Sequence, residues 1–147
     1  MKLYTLGDVP PPVPAAMRLR KPLGPEHDGA LGWVEAHFGA RWRSEAGVAL
    51  ANRPVSMFIV QHRAELLGFA CFDATARGFV GPIGVLDGVR GKGLGAALLY
   101  ACLHDMRAAG YGYAVAGHVG APGFFRRVAG AIEIPDSTPG LYGTLLR

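Results

Sequence analysis

The spacing of apolar positions changes along the chain. It is helical in the first third, alternating in the middle and helical again after residue 92. Residues 2–6 read as a short strand, and Gly7 to Pro14, with four prolines, as a stiff extended connector. Ala16 to Arg20 alternates polar and apolar side chains, as a strand does. Gly24-Pro25-Glu26 is a helix start, because proline suits the first helical position and an acidic side chain complements the positive end of the helix dipole. Leu31, Val34 and Phe38 then recur at helical spacing until Gly39, and a further helix over roughly 41–51 turns Trp42, Ala46, Ala49 and Leu50 inward.

After Pro54 the pattern is β. Residues 56–60 and 66–72 form strands joined by the polar turn His62-Arg63-Ala64-Glu65, and 78–86 forms a third, interrupted at Gly81-Pro82. These three predict an antiparallel meander. Gly93 to Ala109 predicts a helix that is apolar almost all round, with one polar stripe of Tyr100, His104 and Arg107, ended by Gly110. Tyr113 to Ala116 reads as a strand, Pro122 to Val128 as a short helix, and 131–134 and 141–146 as two last strands. No repeat or linker interrupts the pattern, so residues 1–147 are read as a single domain.

Composition narrows the class. Half the residues are hydrophobic and 18% are charged, which suits a globular domain and excludes a disordered chain. Cys71 and Cys102 each sit inside an apolar run, so both read as small buried hydrophobes rather than a disulfide pair, and a reducing cytoplasmic location is expected. The first residues lack the apolar core of a secretion signal, and no stretch approaches the ~20 apolar residues that span a bilayer. The net charge of +4 comes from scattered basic residues, which argues against a nucleic-acid surface and is compatible with a polyanionic cofactor.

The candidate chemistry lies in Ile83 to Leu98, which reads strand, tight loop, Arg90-Gly91-Lys92-Gly93-Leu94-Gly95, helix. A helix start offers unpaired N–H groups and a positive partial charge, and glycines let a ligand approach the backbone. Arg90 and Lys92 add charge beside those donors, so a phosphate or pyrophosphate fits there. A Walker loop is excluded because GxxxxGK followed by Ser or Thr is missing. The dinucleotide fingerprint is excluded because the spacing is GxGxG and the preceding strands are antiparallel.

Arg90-x-x-Gly93-x-Gly95, placed between a strand ending at Val85 and an apolar helix, resembles the pyrophosphate motif of the GNAT superfamily of N-acetyltransferases. A second segment, Gly120 to Ala131 with Phe124-Phe125-Arg126, is similar to the family's other cofactor segment, and the element order agrees over roughly 16–146. The resemblance implies a mixed α/β (α+β) fold, with a mostly antiparallel central sheet of six to seven strands flanked by about four helices. It implies an acetyl-CoA-dependent acyltransferase that moves an acetyl group to a primary amine of a small-molecule or peptide acceptor by direct attack in a ternary complex. Acetyl-CoA (coenzyme A) would be the cosubstrate, no metal would be used, membrane and nucleic-acid partners are not expected, and a homodimer is left open.

Residue by residue, the resemblance implies that the backbone of Arg90, Gly91, Lys92, Gly93, Leu94, Gly95 and Ala96 holds the pyrophosphate. Ile83, Gly84 and Val85 would pair with the pantetheine arm and present an N–H to the thioester oxygen. His118 would stand where the sheet splays, and Phe124, Phe125 and Arg126 would line the cofactor's other side. Phe125 stands where many members carry a tyrosine that protonates the leaving thiolate, so Tyr142, Tyr113, a water or unassisted departure takes that role.

Base candidates are Asp73 and His118, with Asp87 read as a turn residue, Glu35 and His37 as solvated positions and His104 as surface. Trp33, Phe38 and Trp42 read as core. Two other classes compete: a coenzyme A-binding protein without transferase activity, and a basic nucleic-acid-binding domain. No metal-ligand spacing or serine hydrolase pattern occurs. The acceptor pocket is expected around 25–51 and 135–143.

Overall fold

The structure, a computed structural model, describes residues 1–146. Strand β1 (Met17–Arg20) is followed by helices α1 (His27–Phe38) and α2 (Ala40–Ala51), then by the meander β2 (Met57–His62), β3 (Glu65–Phe72) and β4 (Val80–Val85). Helix α3 (Leu94–Ala108) and the short α4 (Pro122–Ala129) complete the regular elements. The four strands pair in sequence order and every pairing is antiparallel.

Central β3 is buried on both faces, which explains its unbroken apolar run. Phe69 and Cys71 face α1 and α2 with Val34, Ala46, Ala49, Met57 and Ile59. Leu67, Ala70 and Phe72 face α3 with Val60, Leu98, Leu99, Cys102, Leu103 and Met106. Leu67 and Ala70 share a face despite their odd separation because the β2–β3 register shifts at Val60/Gln61, leaving Leu67 as the extra residue of a bulge. Burial also pushes the thiols of Cys71 and Cys102 upward, so both stay protonated packing groups.

The sheet has four strands where the resemblance implies six to seven. Residues 2–6 hold a 3-10 turn, Leu3–Thr5, because Leu3 buries completely beneath α3 instead of alternating. Residues 113–116 meet their neighbours at single bridges, Lys2 with Tyr113 and Phe79 with Val115, and then diverge from β4. The two tail strands do not form. Pro135 and Pro139 remove ladder donors, Ile132 and Ile134 are 73% and 56% exposed, and Gly140–Thr144 closes into a 3-10 turn.

The polar stripe of α3 faces the N-terminal connector rather than water. Arg107 donates to Leu6 O at 2.7 Å and to Asp8 Oδ1 at 2.9 Å, and His104 Nε2 lies 3.1 Å from Gly7 O. Tyr100 is buried beneath the same segment. His104, expected at the surface, is therefore half-buried as part of this seam.

Asp73 locks the β3–β4 turn, accepting from Tyr111 Oη at 2.9 Å and from the Gly78 N–H at 2.7 Å. Asp73→Ala leaves both donors unpaired and is expected to cost about 1–3 kcal/mol in denaturant unfolding. Phe69→Ala, at the contact between the two layers, is expected to cost about 3–5 kcal/mol in the same experiment. A loss below about 1 kcal/mol in the Phe69 variant would contradict the packing described.

Candidate functional site

β4 is the edge of the sheet, and the site begins there. Leu86 N–H donates to Leu67 O at 2.9 Å, so antiparallel alternation turns the peptide groups of Val85 and Ile83 away from β3. On that outer side the 113–118 segment touches β4 through Val80 N–H to Val115 O at 2.9 Å and then leaves. Among the described residues, no backbone hydrogen bond joins it to Ile83 or Val85. A strip of strand edge is thus free for an extended ligand. The register shift between Ala70 and Phe72, opposite Gly81-Pro82, bends β4 just before this strip.

The strip leads into the glycine turn. A 3-10 turn, Asp87–Val89, follows β4, and Arg90 folds back with its Nη2 3.1 Å from Asp87 Oδ1 and its Nε 3.4 Å from Val85 O. Gly91 and Gly93 have φ of +81° and +78°. A Cβ at Gly91 would meet nothing within 4 Å, and one at Gly93 only Pro12 O at 4.0 Å, so glycine is required here by backbone conformation rather than crowding. Gly93 caps α3, its carbonyl accepting from Ala97 N–H at 3.0 Å. The amides of Leu94, Gly95 and Ala96 lie in the first turn and have no intrahelical acceptor. Gly91, Lys92 and Gly93 are exposed and Gly95 and Ala96 half-buried, while Leu94 is buried, so the turn ahead of the helix start lies at the surface. The arrangement can hold an anion with backbone N–H groups in a positive field.

α4 closes one flank. A Cβ at Gly95 would lie 3.5 Å from the Phe124 ring, an ordinary van der Waals contact, so Phe124 sits directly over the first turn of α3. Phe124 and Phe125 pack edge to face at 5.2 Å against the α3 side of the core, while Arg126 points to solvent. Phe125 has no polar atom to offer.

A second group of side chains gathers where the 113–118 segment splays. His118, at φ +49°, lies 5.6 Å from the Tyr142 ring. That ring sits on Gly117 so closely that a Cβ there would overlap it. Burial pushes the Tyr142 phenol above its ordinary value; a hydrogen-bonding contact with Thr75 pulls it down and the charge of Glu45 raises it again. Thr75 Oγ1 donates to Glu45 Oε1 at 2.5 Å. On the same face of the sheet, the rim of the Phe38 ring lies 2.6 Å from where a Gly84 Cβ would be, and Phe38 stacks on Trp42 at 5.0 Å.

The structure therefore brings together Ile83–Val85, the 90–96 turn and Phe124, and separately His118 with Tyr142. It sets Asp73 in the turn lock, and Tyr113 against Tyr4 at 5.6 Å, before the bridge to Phe79. Glu45 and Thr75 were not singled out from sequence. Their only signal is a contact across 30 positions, which no local pattern encodes. A cleft of about 860 Å³ between α1 and the β2–β3 hairpin, walled by Ala30, Trp33, Ile59 and Leu66, touches the 25–51 stretch expected to shape the acceptor pocket but contains none of the cofactor or catalytic candidates.

No curated protein matches the chain in sequence. Solved structures share its fold. A GNAT family acetyltransferase from Brucella melitensis, solved in complex with acetyl-CoA, is 23% identical with a TM-score of 0.55, over 77% of this chain and 81% of its own. A GCN5-related N-acetyltransferase from Sphaerobacter thermophilus is also 23% identical, with a TM-score of 0.64 over 82% of this chain; the chain spans 44% of that protein's length. An acetyltransferase from Trypanosoma brucei is 18% identical, with a TM-score of 0.60 over 80% of this chain and 94% of its own. At these identities the likeness concerns the fold. The family model for the acetyltransferase (GNAT) family matches residues 22–131, a span that includes β2 to β4, the glycine turn and both α3 and α4. The chain belongs to the GNAT acetyltransferase family.

Proposed function

We propose that this chain, acting as one domain, transfers an acetyl group from acetyl-CoA to a primary amine by direct attack within a ternary complex. The observation that carries this reading is the run of backbone from the free edge of Ile83–Val85 to the surface turn Gly91–Gly93 and the α3 amides that have no intrahelical acceptor. An extended arm ending in a pyrophosphate matches that surface in chemistry: peptide-like groups pair with a strand edge, and a diphosphate pairs with a helix N-terminus. The acetyl-CoA complex of the Brucella melitensis relative supports the same cofactor. Arg90 and Lys92 would add charge at the pyrophosphate, and Phe124, Phe125 and Arg126 would flank the cofactor.

In this reading the Val85 or Ile83 N–H stabilises the oxyanion formed when the amine attacks the thioester carbonyl. The amine must lose a proton, because a group of pKa ~10.4 is neutral about once in a few thousand molecules at pH 7. Tyr142 takes the place of the phenol missing at Phe125, and protonates the departing thiolate. His118, beside Tyr142, serves the proton traffic at the splay. Asp73 is assigned to the turn lock rather than to chemistry, since its acceptor positions are engaged.

The apolar Phe125 favours a second reading, a coenzyme A-binding protein without transfer activity. Calorimetry with coenzyme A and release of free thiol from acetyl-CoA with a panel of primary amines separate the two. Binding with release supports the transferase, and binding without release on any amine supports the second reading.

Gly93→Val is expected to weaken coenzyme A binding at least tenfold, because a β-branched residue cannot hold the left-handed conformation that aims the amides. Unchanged affinity in calorimetry would remove the turn from the site. Tyr142→Phe is expected to lower kcat by about 10²-fold while leaving acetyl-CoA affinity intact. Burial raises the Tyr142 phenol pKa, so the proton stays on through the neutral range and the activity it supports is lost only as the pH rises beyond the ordinary range of a tyrosine phenol. A pH–rate profile of the wild type and the variant checks both statements.

A further inference from the structure

A buried tyrosine hydroxyl usually finds a partner, because one left bare in the interior loses water and gains nothing in return. Tyr100 of α3 departs from that rule. The residue is 6% exposed, and its Oη is buried without a hydrogen-bond partner. Among the described residues, no other buried side-chain nitrogen or oxygen lacks one. Packing alone does not account for the hydroxyl, since phenylalanine fills the same space without it.

Tyr100 forms part of the wall of a cavity of about 530 Å³ between the N-terminal connector and α3. Residues 10–13 line it from the connector, Leu19 from β1, and Ala97 and Ala101 from α3. The two alanines stand one helical turn apart, and their small side chains leave room between helix and connector. The volume falls within the roughly 300–1,000 Å³ of small-molecule pockets. The polar groups at its rim are already matched. Asp8 accepts from Arg107 Nη2 at 2.9 Å, and His104 is engaged at both ring nitrogens, with Gly7 O at 3.1 Å and Arg107 Nη2 at 3.4 Å. The Tyr100 hydroxyl is thus the polar group of this wall still to be satisfied. Gly7 lies over it, with its Cβ position 3.5 Å from Oη. A glycine cover has no side chain to displace, so a small shift of the Gly7 backbone opens Oη to the cavity.

We infer that the cavity beneath the connector is a binding site for an uncharged, largely apolar ring compound whose carbonyl oxygen accepts a hydrogen bond from Tyr100. The apolar walls disfavour an ion, because no unmatched counter-charge lies beside them. A pure hydrocarbon would fill the space and leave the hydroxyl bare. The site is separate from the β4 strip and the glycine turn and shares no residue with either. It approaches them through Pro12, whose carbonyl oxygen lies 4.0 Å from the Cβ position of Gly93. A ligand here therefore needs neither acetyl-CoA nor an acceptor amine in order to bind.

The test uses the full chain with two probes of one shape: acetophenone, and α-methylstyrene, in which a methylene replaces the carbonyl oxygen. NMR chemical-shift titration is read at the Ala97 and Ala101 amides. Both probes are expected to give saturable shifts there in the wild type. Tyr100→Phe is expected to weaken acetophenone about tenfold, the worth of one hydrogen bond, and to leave α-methylstyrene unchanged. Ala101→Leu fills the cavity from the helix side and is expected to abolish binding of both. With no probe present, Tyr100→Phe is expected to unfold at the same or a higher denaturant concentration, because it removes an unpaired hydroxyl. A lower midpoint would show that the hydroxyl is already satisfied and would overturn the inference. So would a wild type without saturable acetophenone shifts at those amides, equal acetophenone affinity in wild type and Tyr100→Phe, or undiminished binding in Ala101→Leu.

Discussion

The double-sided burial of β3 is the constraint from which the rest follows. A strand covered on both faces must be sandwiched between helices, and here α1 and α2 take one face while α3 takes the other. With β1 and β2 on one side of it, only β4 remains to take the other side, and β4 becomes an edge. An edge strand carries unpaired peptide groups that water or a ligand must satisfy. The 113–118 segment could have covered that edge, but it meets β4 at one bridge near Phe79 and turns away. The free groups are therefore confined to the stretch that runs into the glycine turn.

That turn is as much a product of α3 as of its glycines. α3 buries its apolar surface against β2, β3 and β4, so its axis is fixed by the core and its first turn is held at the end of β4. Gly91 and Gly93 then supply the left-handed backbone that brings the chain from an edge strand to a helix start within a few residues. Phe124 rests on Gly95 and stiffens the arrangement from the outside. Donor groups held this way need little reordering to receive an anion, which is where preorganisation contributes to binding.

Much of this was legible in the sequence, and the limits have physical causes. All four helices were legible because their apolar spacing is a local property. The meander was legible because polar turns separate its strands. The motif from Arg90 to Gly95 was legible because a helix start and its glycines are adjacent in the chain. The tail was misread since Ile132, Ile134 and Leu145 are apolar enough for strands, yet prolines 135 and 139 withhold the donors a ladder needs. His104 was misread because its cover comes from nearly one hundred residues away. Glu45 was invisible for the same reason: the hydroxyl that singles it out lies on a different turn, and burial is not written beside a residue.

The connector from Gly7 to Pro14 deserves a mechanical interpretation. Its prolines have no N–H and ask for no hydrogen-bond acceptors, so two polar contacts from α3, at His104 and Arg107, with Tyr100 buried beneath, fasten it, and its Pro12 carbonyl arrives beside Gly93. The opening residues thus act as a splint along the helix that carries the anion-facing turn. Loosening that splint at Arg107 would be felt four turns away, at a backbone whose usefulness depends on not moving.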